Sequence, residues 1–494
     1  MNFSPSREAF LNIAKNHDVV AVSAKFTTDS ETPLSAYSKL SGEKPAFLFE
    51  SVVGGEQLSR YSFVGCNPKK IISAGHSQTI IAEKGKNTEV IPTPKDPLAL
   101  VEQCIDDIRY YGPEIPQRFS GGAVGYLSYE YANRIESSIP IPDTDELGLP
   151  LLFFMIADTV LIFDHACQTL TICANVEVCD DSDKQYDKAC SKIEEIFQSL
   201  RSPTSFFPTQ LTENEITEIP KGNFSKEEFM ILVEKTKELI RAGDIIQSVI
   251  SQRFTQLFTG EPINVYRSIR AINPSPYMFL MEGEDFAIVG ASPEVHVRLD
   301  KNDVLIRPIA GTRPRGADEE EDHKNEQSLL DDEKEKAEHL MLVDLARNDI
   351  GRVCKAGTVK AAEFMTIERY SHVMHIVSQV VGKLKEDRNA FDLMRATFPA
   401  GTVSGAPKIR AMQIIAEFEK LQRNAYAGAL GYFGYDGNHD SCIAIRTAMI
   451  KKNKIHLQAG AGIVADSIPE MEYEETLNKA KGMLKAIRMA ENIS

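Results

Sequence analysis

Glu335 and Glu338 stand three residues apart, and so do Glu472 and Glu475, with Lys479 four residues further on. At 100° per residue, each set falls on one face of a helix. Like charges at that spacing repel by roughly 0.2–0.5 kcal/mol, so a buried pair needs something to offset it. Two facing carboxylate pairs make an oxygen-rich site for a hard cation, and Mg²⁺ suits carboxylates that share the ion with an anionic ligand. Against this, the chain has 71 acidic residues, and most such pairs are solvated faces. Spacing alone therefore favours surface charge. Gly460-Ala461-Gly462 follows a strand pattern, and Gly401-Thr402-Val403-Ser404-Gly405 precedes a helix pattern. Each can present backbone N–H groups to an anion or simply form a tight turn. Neither matches a Walker loop or a dinucleotide fingerprint. His375 lies in a segment, 373–377, that fits strand or helix, and on its own it reads as a structural histidine.

The elements that must position these residues read as follows. Residues 331–345 and 468–489 have helical patterns, the second opened by a capping box of Ser467 and Glu470 with Pro469 in the first turn. A further helix starts at Ser225, boxed with Glu228, and stops at Gly243. Residues 246–254 read as a strand. Hairpins are expected at 295–299 with 304–309, and at 444–450 with 455–457. The first 200 residues read as mainly β, with an apolar run at 46–53 and a hairpin of 159–163 with 169–176. Residues 201–223 are rich in Ser, Thr and Pro and fit a linker or a long surface loop. The expected organisation is an N-terminal region 1–200, the 201–223 connection and a region 224–494. Hairpins alternating with long helices give an α+β class with helices covering antiparallel sheet.

The 494 residues are 43% hydrophobic, enough for a large core. A net charge of −16 argues against nucleic acid and against an anionic membrane surface. An anionic ligand would then need local neutralisation by a few cations, amides or a metal. The longest apolar run, 149–163, is broken by Asp158 and is too short to span a bilayer as a helix. The first ten residues carry no secretory pattern. Eight scattered cysteines without a CxxC pair fit a reduced, cytoplasmic setting.

Five segments occur together in this order: Gly290-Ala291-Ser292-Pro293-Glu294; Pro308-Ile309-Ala310-Gly311-Thr312-Arg313-Pro314-Arg315-Gly316; residues 338–349; residues 398–408; and Gln458-Ala459-Gly460-Ala461-Gly462-Ile463-Val464. They resemble the chorismate-utilising enzymes across most of residues 225–485. Leu48-Phe49-Glu50-Ser51, residues 60–65 and residues 121–126 are similar to the anthranilate synthase large-subunit family. The resemblance implies two antiparallel β-sheets sandwiched between helical layers, with the site in a cleft. It places Mg²⁺ between Glu338 and Glu475, supported by Glu335 and Glu472. Arg446, Lys479, Tyr426 and the amides of Gly460, Ala461 and Gly462 would hold the other carboxylate of chorismate, and Gly311 and Thr312 would line its ring.

Two positions report which branch of the family the chain resembles. Isochorismate and salicylate synthases carry a Lys base where Gln247 stands, and Gln cannot deprotonate water. Aminodeoxychorismate synthases usually carry a nucleophilic Lys where Ala310 stands, and Ala forms no covalent intermediate. What remains is attack by ammonia at C2, the anthranilate route. Glu294 is then the expected general acid for the departing C4 hydroxyl, provided burial raises its pKa. His375 would be the base or orienting group, and Thr402 would position the ring or the side chain. No Gly-x-Cys-x-Gly segment is present, so a separate glutamine amidotransferase subunit is implied, with a heterotetramer as the expected assembly. Ser51, Pro276, Tyr277 and Met278 resemble the family's pocket for L-tryptophan, the feedback inhibitor, although Phe49 replaces its more familiar Leu. The competing readings are an aminodeoxychorismate synthase and a non-catalytic tryptophan-sensing subunit.

Overall fold

The computed structural model describes residues 1–42, 44–51, 60–113, 119–204, 206, 219–370 and 373–493. Most of the 201–223 connection, and residues 52–53 of the apolar run, lie outside the described residues. The strands assemble into two 12-stranded sheets. The first runs, in order, Gly405–Ala406, Gln247–Leu257, Lys454–Ile463, Thr447–Lys451, Phe286–Ser292, Tyr277–Glu282, Ala46–Glu50, Tyr61–Cys66, Thr159–Asp164, Thr169–Glu177, Val19–Thr27 and Tyr110–Tyr111. The second runs Ile309–Pro314, Val373–Lys383, Asp303–Ile306, Val295–Asp300, His439–Ile443, Ala429–Gly434, Gly122–Leu127, Leu152–Ala157, Lys70–Ala74, Gln78–Glu83 and Glu89–Pro92, with Lys360–Arg369 also paired to Val373–Lys383. Pairing is antiparallel except where Val19 and Val20 lie beside Tyr110 and Tyr111. Strands from either side of the 201–223 connection pair in both sheets: Ala46–Glu50 with Tyr277–Glu282, and Gly122–Leu127 with Ala429–Gly434.

Strand alternation sorts the side chains into layers. Leu48 joins Val22, Val64 and Leu280 in a core shared with Tyr37, Ile193, Tyr266, Met483 and Ile487 of the helices outside the first sheet. Phe47 and Phe49 point the other way, between the sheets. There Phe63 meets Tyr432 edge-on at 5.9 Å, and Tyr126 meets Phe286 at 6.1 Å. Phe433, one residue on from Tyr432, faces the opposite side and stacks at 4.2 Å on Phe391 of helix Ala390–Thr397. The layers are therefore helix, sheet, sheet, helix, the expected α+β sandwich.

Local expectations hold at most elements. Ser225 and Glu228 box the helix Lys226–Arg241, and Gly243 ends it at φ 84°. The segment around His375 is strand. The long acidic helix runs Glu333–Gly351, capped by Asp332, whose side chain accepts from the amides of Lys334 and Glu335. The expected second capping box does not form. Helix Pro469–Glu491 has Ile468 at its N-cap, and the Ser467 hydroxyl instead accepts from the Val464 amide at 3.0 Å. A proline at the first helical position already removes one orphan donor, and Ser467 closes the preceding turn.

The apolar run at 149–163 is two strands in different sheets, Leu152–Ala157 and Thr159–Asp164, with the chain crossing between the sheets at Asp158. Two other crossings lie side by side. Strand Phe286–Ser292 leaves the first sheet, and Val295–Asp300 enters the second two residues later. His439–Ile443 leaves the second sheet, and Thr447–Lys451 enters the first. Gly290 pairs with Thr447 on one side of this junction and Val295 with Cys442 on the other.

Candidate active site

Glu294 and Arg446 occupy those two adjacent crossings. A short crossing between sheets has no ladder partners of its own, so its side chains are free to face a cleft. Arg446 adopts a left-handed backbone, φ 49°, and its carbonyl accepts from the Ala291 amide at 3.2 Å. Glu294 is 8% exposed. Burial pushes its pKa up to about 8, even though the Thr402 hydroxyl, Arg446 and Lys479 pull it the other way. Thr402 comes from the short 3₁₀ turn Gly401–Val403 and shares a small cavity with Glu294.

Strand Ile309–Pro314 brings in Gly311 and Thr312. A bulge interrupts its pairing between Ala310 and Thr312, and Gly311 takes φ 68° there, a conformation glycine adopts without a Cβ penalty. The bulge turns the Gly311 carbonyl toward His375 Nδ1, 2.9 Å away, and Thr312 Oγ1 lies 3.1 Å from the same nitrogen. With Nδ1–H donating to Gly311, the free lone pair of the neutral ring is on Nε2. Burial, with Arg446 nearby, lowers the His375 pKa. Tyr370, which the sequence did not single out, meets the His375 ring edge-on at 5.6 Å and donates to Glu368 at 3.0 Å.

On the far side, strand Lys454–Ile463 carries Gly460, Ala461 and Gly462 against Ser251, Ile250 and Val249. A Cβ on Gly462 would stand 2.6 Å from Gln247 Nε2, and one on Gly460 would stand 3.0 Å from the Tyr426 hydroxyl. Both glycines therefore let functional side chains approach the strand. Gln247 is 3% exposed and donates to Glu338 Oε1 at 3.1 Å, while its own Oε1 has no partner among the described residues. Lys479 donates to the Gly460 carbonyl at 3.0 Å and pairs with Glu475 at 2.7 Å.

The four glutamates come from two helices, and each pair occupies one face. Burial raises the Glu338 pKa, and the neighbouring Glu335 and Glu475 raise it further. Burial and Glu475 do the same to Glu472. Arg313 holds Glu335 at 3.2 Å, and Lys334 lies near enough to both Glu338 and Glu472 to favour their charged forms. Among the described residues, no group of three or more His, Cys, Asp or Glu converges closely enough to hold a metal ion. What the structure holds is an excess of carboxylate on one side of the cleft, partly balanced by Arg313, Lys334 and Lys479.

The four residues expected to bind tryptophan also come together. Ser51, Pro276, Tyr277 and Met278 line one cavity between the two sheets that is partly open to solvent. Phe49, Phe63, Tyr432, Arg298 and Asp440 line it as well. Tyr277 donates to Asp440 at 2.8 Å, and Asp440 accepts from Arg298 at 2.9 Å. The buried Ser51 hydroxyl has no partner among the described residues. The Met278 side chain packs on the helix side of its strand, so the main chain is its contribution to the cavity.

A cleft with carboxylates and their balancing cations on one side, and a buried glutamate beside Arg446 on the other, is the kind of site an enzyme uses for a small charged ligand. The family model described as chorismate binding enzyme matches residues 44–485, and the chain belongs to that family. It is 45% identical to anthranilate synthase component 1 of Aquifex aeolicus (strain VF5), over 99% of both chains. It is 43% identical to anthranilate synthase component 1 of Acetivibrio thermocellus, over 99% of this chain and all of that one. Among solved structures, anthranilate synthase component I from Streptococcus pneumoniae TIGR4 superposes with a TM-score of 0.73 at 36% identity, covering 93% of this chain and 98% of that chain. The menaquinone-specific isochorismate synthase MenF from Escherichia coli superposes with a TM-score of 0.72 over 98% of this chain, and at 17% identity it shares the fold.

Proposed function

We propose that this chain is the chorismate-binding component of an anthranilate synthase, converting chorismate and ammonia to anthranilate and pyruvate at the start of tryptophan synthesis. The observation that carries this reading is Glu294. It is a buried carboxyl held protonated near neutral pH, set beside Thr402 and facing Arg446, in a site whose two branch-reporting positions, Gln247 and Ala310, carry no amine. Arg446, Lys479, Tyr426 and the amides of 460–462 bind one carboxylate of chorismate, and Gly311 and Thr312 line the ring. Glu294 donates its proton to the C4 hydroxyl, which leaves as water as ammonia bonds to C2. Loss of pyruvate then makes the ring aromatic, with neutral His375 orienting the intermediate or taking the proton. Gln247 is spent holding Glu338, and an amide has no base to offer water, so ammonia is the nucleophile.

Glu338 and Glu475 suit Mg²⁺, which takes one or two protein carboxylates and completes its shell from water and an anionic substrate. Carboxylate oxygens are the ligands a hard cation prefers, and a cation would offset both the burial and the mutual repulsion that raise the pKa of Glu338 and Glu472. Glu338 and Glu475 would hold the ion, with Glu335 and Glu472 in support. When bound it supplies positive charge for the ring carboxylate. Ammonia comes from a partner glutamine amidotransferase, component II, in a cytoplasmic heterotetramer, and L-tryptophan binds the inter-sheet cavity as feedback inhibitor.

Purified chain given chorismate, Mg²⁺ and ammonium is expected to produce fluorescent ortho-aminobenzoate without a lyase partner. A para-aminated or unaminated product, or none, overturns the proposal.

A further inference from the structure

Beneath the cleft lies a buried polar cluster that the chemistry above does not use. Its centre is Arg423, 1% exposed. Its Nε and one terminal nitrogen fork onto Glu419 at 2.8 and 2.5 Å. The other terminal nitrogen donates to the Val403 carbonyl at 2.8 Å, and a further bond reaches the Val249 carbonyl at 2.7 Å. The guanidinium plane lies over the Tyr129 ring at 4.5 Å and the Tyr426 ring at 5.6 Å. Glu419 also accepts from the Ser251 amide and hydroxyl at 2.7 and 2.8 Å. The Arg423 and Asn424 amides donate to a second buried carboxyl, Glu130, at 2.6 and 3.0 Å.

Three of these contacts end one step from the site. Val403 follows Thr402 in the 3₁₀ turn. Val249 pairs with Gly462, two residues along the strand from Gln247. Tyr426 presents its hydroxyl to Gly460. These three pieces come from a turn, a strand and a loop that are distant in sequence, and Arg423 ties them together. Burying a guanidinium is costly unless its donors are satisfied. Here they are spent on main-chain carbonyls of functional segments, where simple core filling would have needed only an apolar side chain.

We infer that Arg423, anchored by Glu419, is a positioning residue for the proposed reaction: it fixes Thr402, Tyr426 and the Gln247 strand relative to one another. The inference rests on the anthranilate synthase reading of the site. Arg423→Lys keeps the charge but loses the planar fork. It is expected to lower kcat with ammonium by about 10²-fold, as misplacement by an ångström does, while the KM for chorismate changes far less. In a Thr402→Val background, the same change is expected to cost less than about 3-fold, because residues acting through one another are non-additive. Glu419→Gln, which keeps its shape and one acceptor, is expected to lower kcat in the same direction, and it carries the test if Arg423→Lys fails to fold. Equal losses in both backgrounds, or a lowered melting temperature with kcat intact in the folded variants, overturn the inference. Wild-type chain that makes no anthranilate fails the functional reading itself and this one with it, whereas active wild type beside an unaffected variant fails only this one.

Discussion

Glu294 owes its chemistry to where the chain crosses between sheets, not to its neighbours in sequence. Its ordinary value of 4.5 is pushed up to about 8, so the acid form is present below about pH 8 and is lost above it. If Glu294 is the general acid, kcat falls as pH rises through that value, and Glu294→Gln costs about 10²–10⁴-fold. A pH–rate profile of both proteins checks this, and an unchanged alkaline limb in the variant would remove Glu294 from the role. Linkage has the same origin. Between pH 4.5 and about 8 the folded chain binds a proton here that the unfolded chain has released. The contribution of Glu294 to stability therefore declines with rising pH across that window. The sequence allowed this role through a resemblance, but no composition or spacing gives the burial that makes glutamate an acid. Glu338 and Glu475 are the reverse case. Spacing placed each pair on one face correctly, yet only folding buries Glu338 and brings Glu475, more than a hundred residues away, close enough to raise its pKa further. Arg423 has a local partner in Glu419, four residues earlier, but the carbonyls it ties together belong to distant segments, which no spacing shows.

At the scale of elements, periodicity and capping chemistry were legible wherever they are local. The Ser225 box, the Gly243 stop and the hairpins at 159–176 and 295–309 follow from short-range rules. Ser467 misled because its pattern fits two uses of a hydroxyl, and the turn before Pro469 took it. The crossings were not legible at all, since an apolar run reads the same whether it continues in one sheet or changes sheets at Asp158. Close backbone approach is equally hidden. Gly122, φ 138°, opens a strand at the middle of the second sheet, and a Cβ there would stand 2.1 Å from the Phe433 carbonyl oxygen. Backbone in a ladder cannot yield that distance, and the φ is itself strained for alanine. Gly122→Ala is therefore expected to destabilise by about 3 kcal/mol or more, seen as a large loss of melting temperature. A change within about 0.5 kcal/mol would mean that the two strands separate more easily than their pairing implies.

At the scale of the whole molecule, the two sequence regions share both sheets and both major cores, so the cavity between the sheets is bounded by each. That geometry links it to the cleft. Tyr277 begins the hairpin that ends in Ser292 and leads to Glu294; Arg298 lies on the strand leaving Glu294; Asp440 lies on the strand leading to Arg446. Tyr277, Arg298 and Asp440, joined by hydrogen bonds in the cavity, thus sit on strands that run into both crossings. Aromatic walls with a carboxylate, a guanidinium and an unpartnered hydroxyl suit an amphipathic aromatic amino acid. Tryptophan is accordingly expected to raise the melting temperature of the chain, by linkage worth about 2.7 kcal/mol at a hundredfold excess over Kd. It is also expected to weaken chorismate binding by the same factor that chorismate weakens tryptophan binding. If Ser51 bonds the proposed inhibitor, Ser51→Ala removes one hydrogen bond worth about 0.5–1.5 kcal/mol. It should therefore shift the inhibition curve by roughly 2–10-fold while leaving turnover without tryptophan unchanged. Thermal shift and inhibition titrations on both proteins decide the matter. If variant and wild type are inhibited alike, Ser51 does not touch the inhibitor, and tryptophan acts from some other surface.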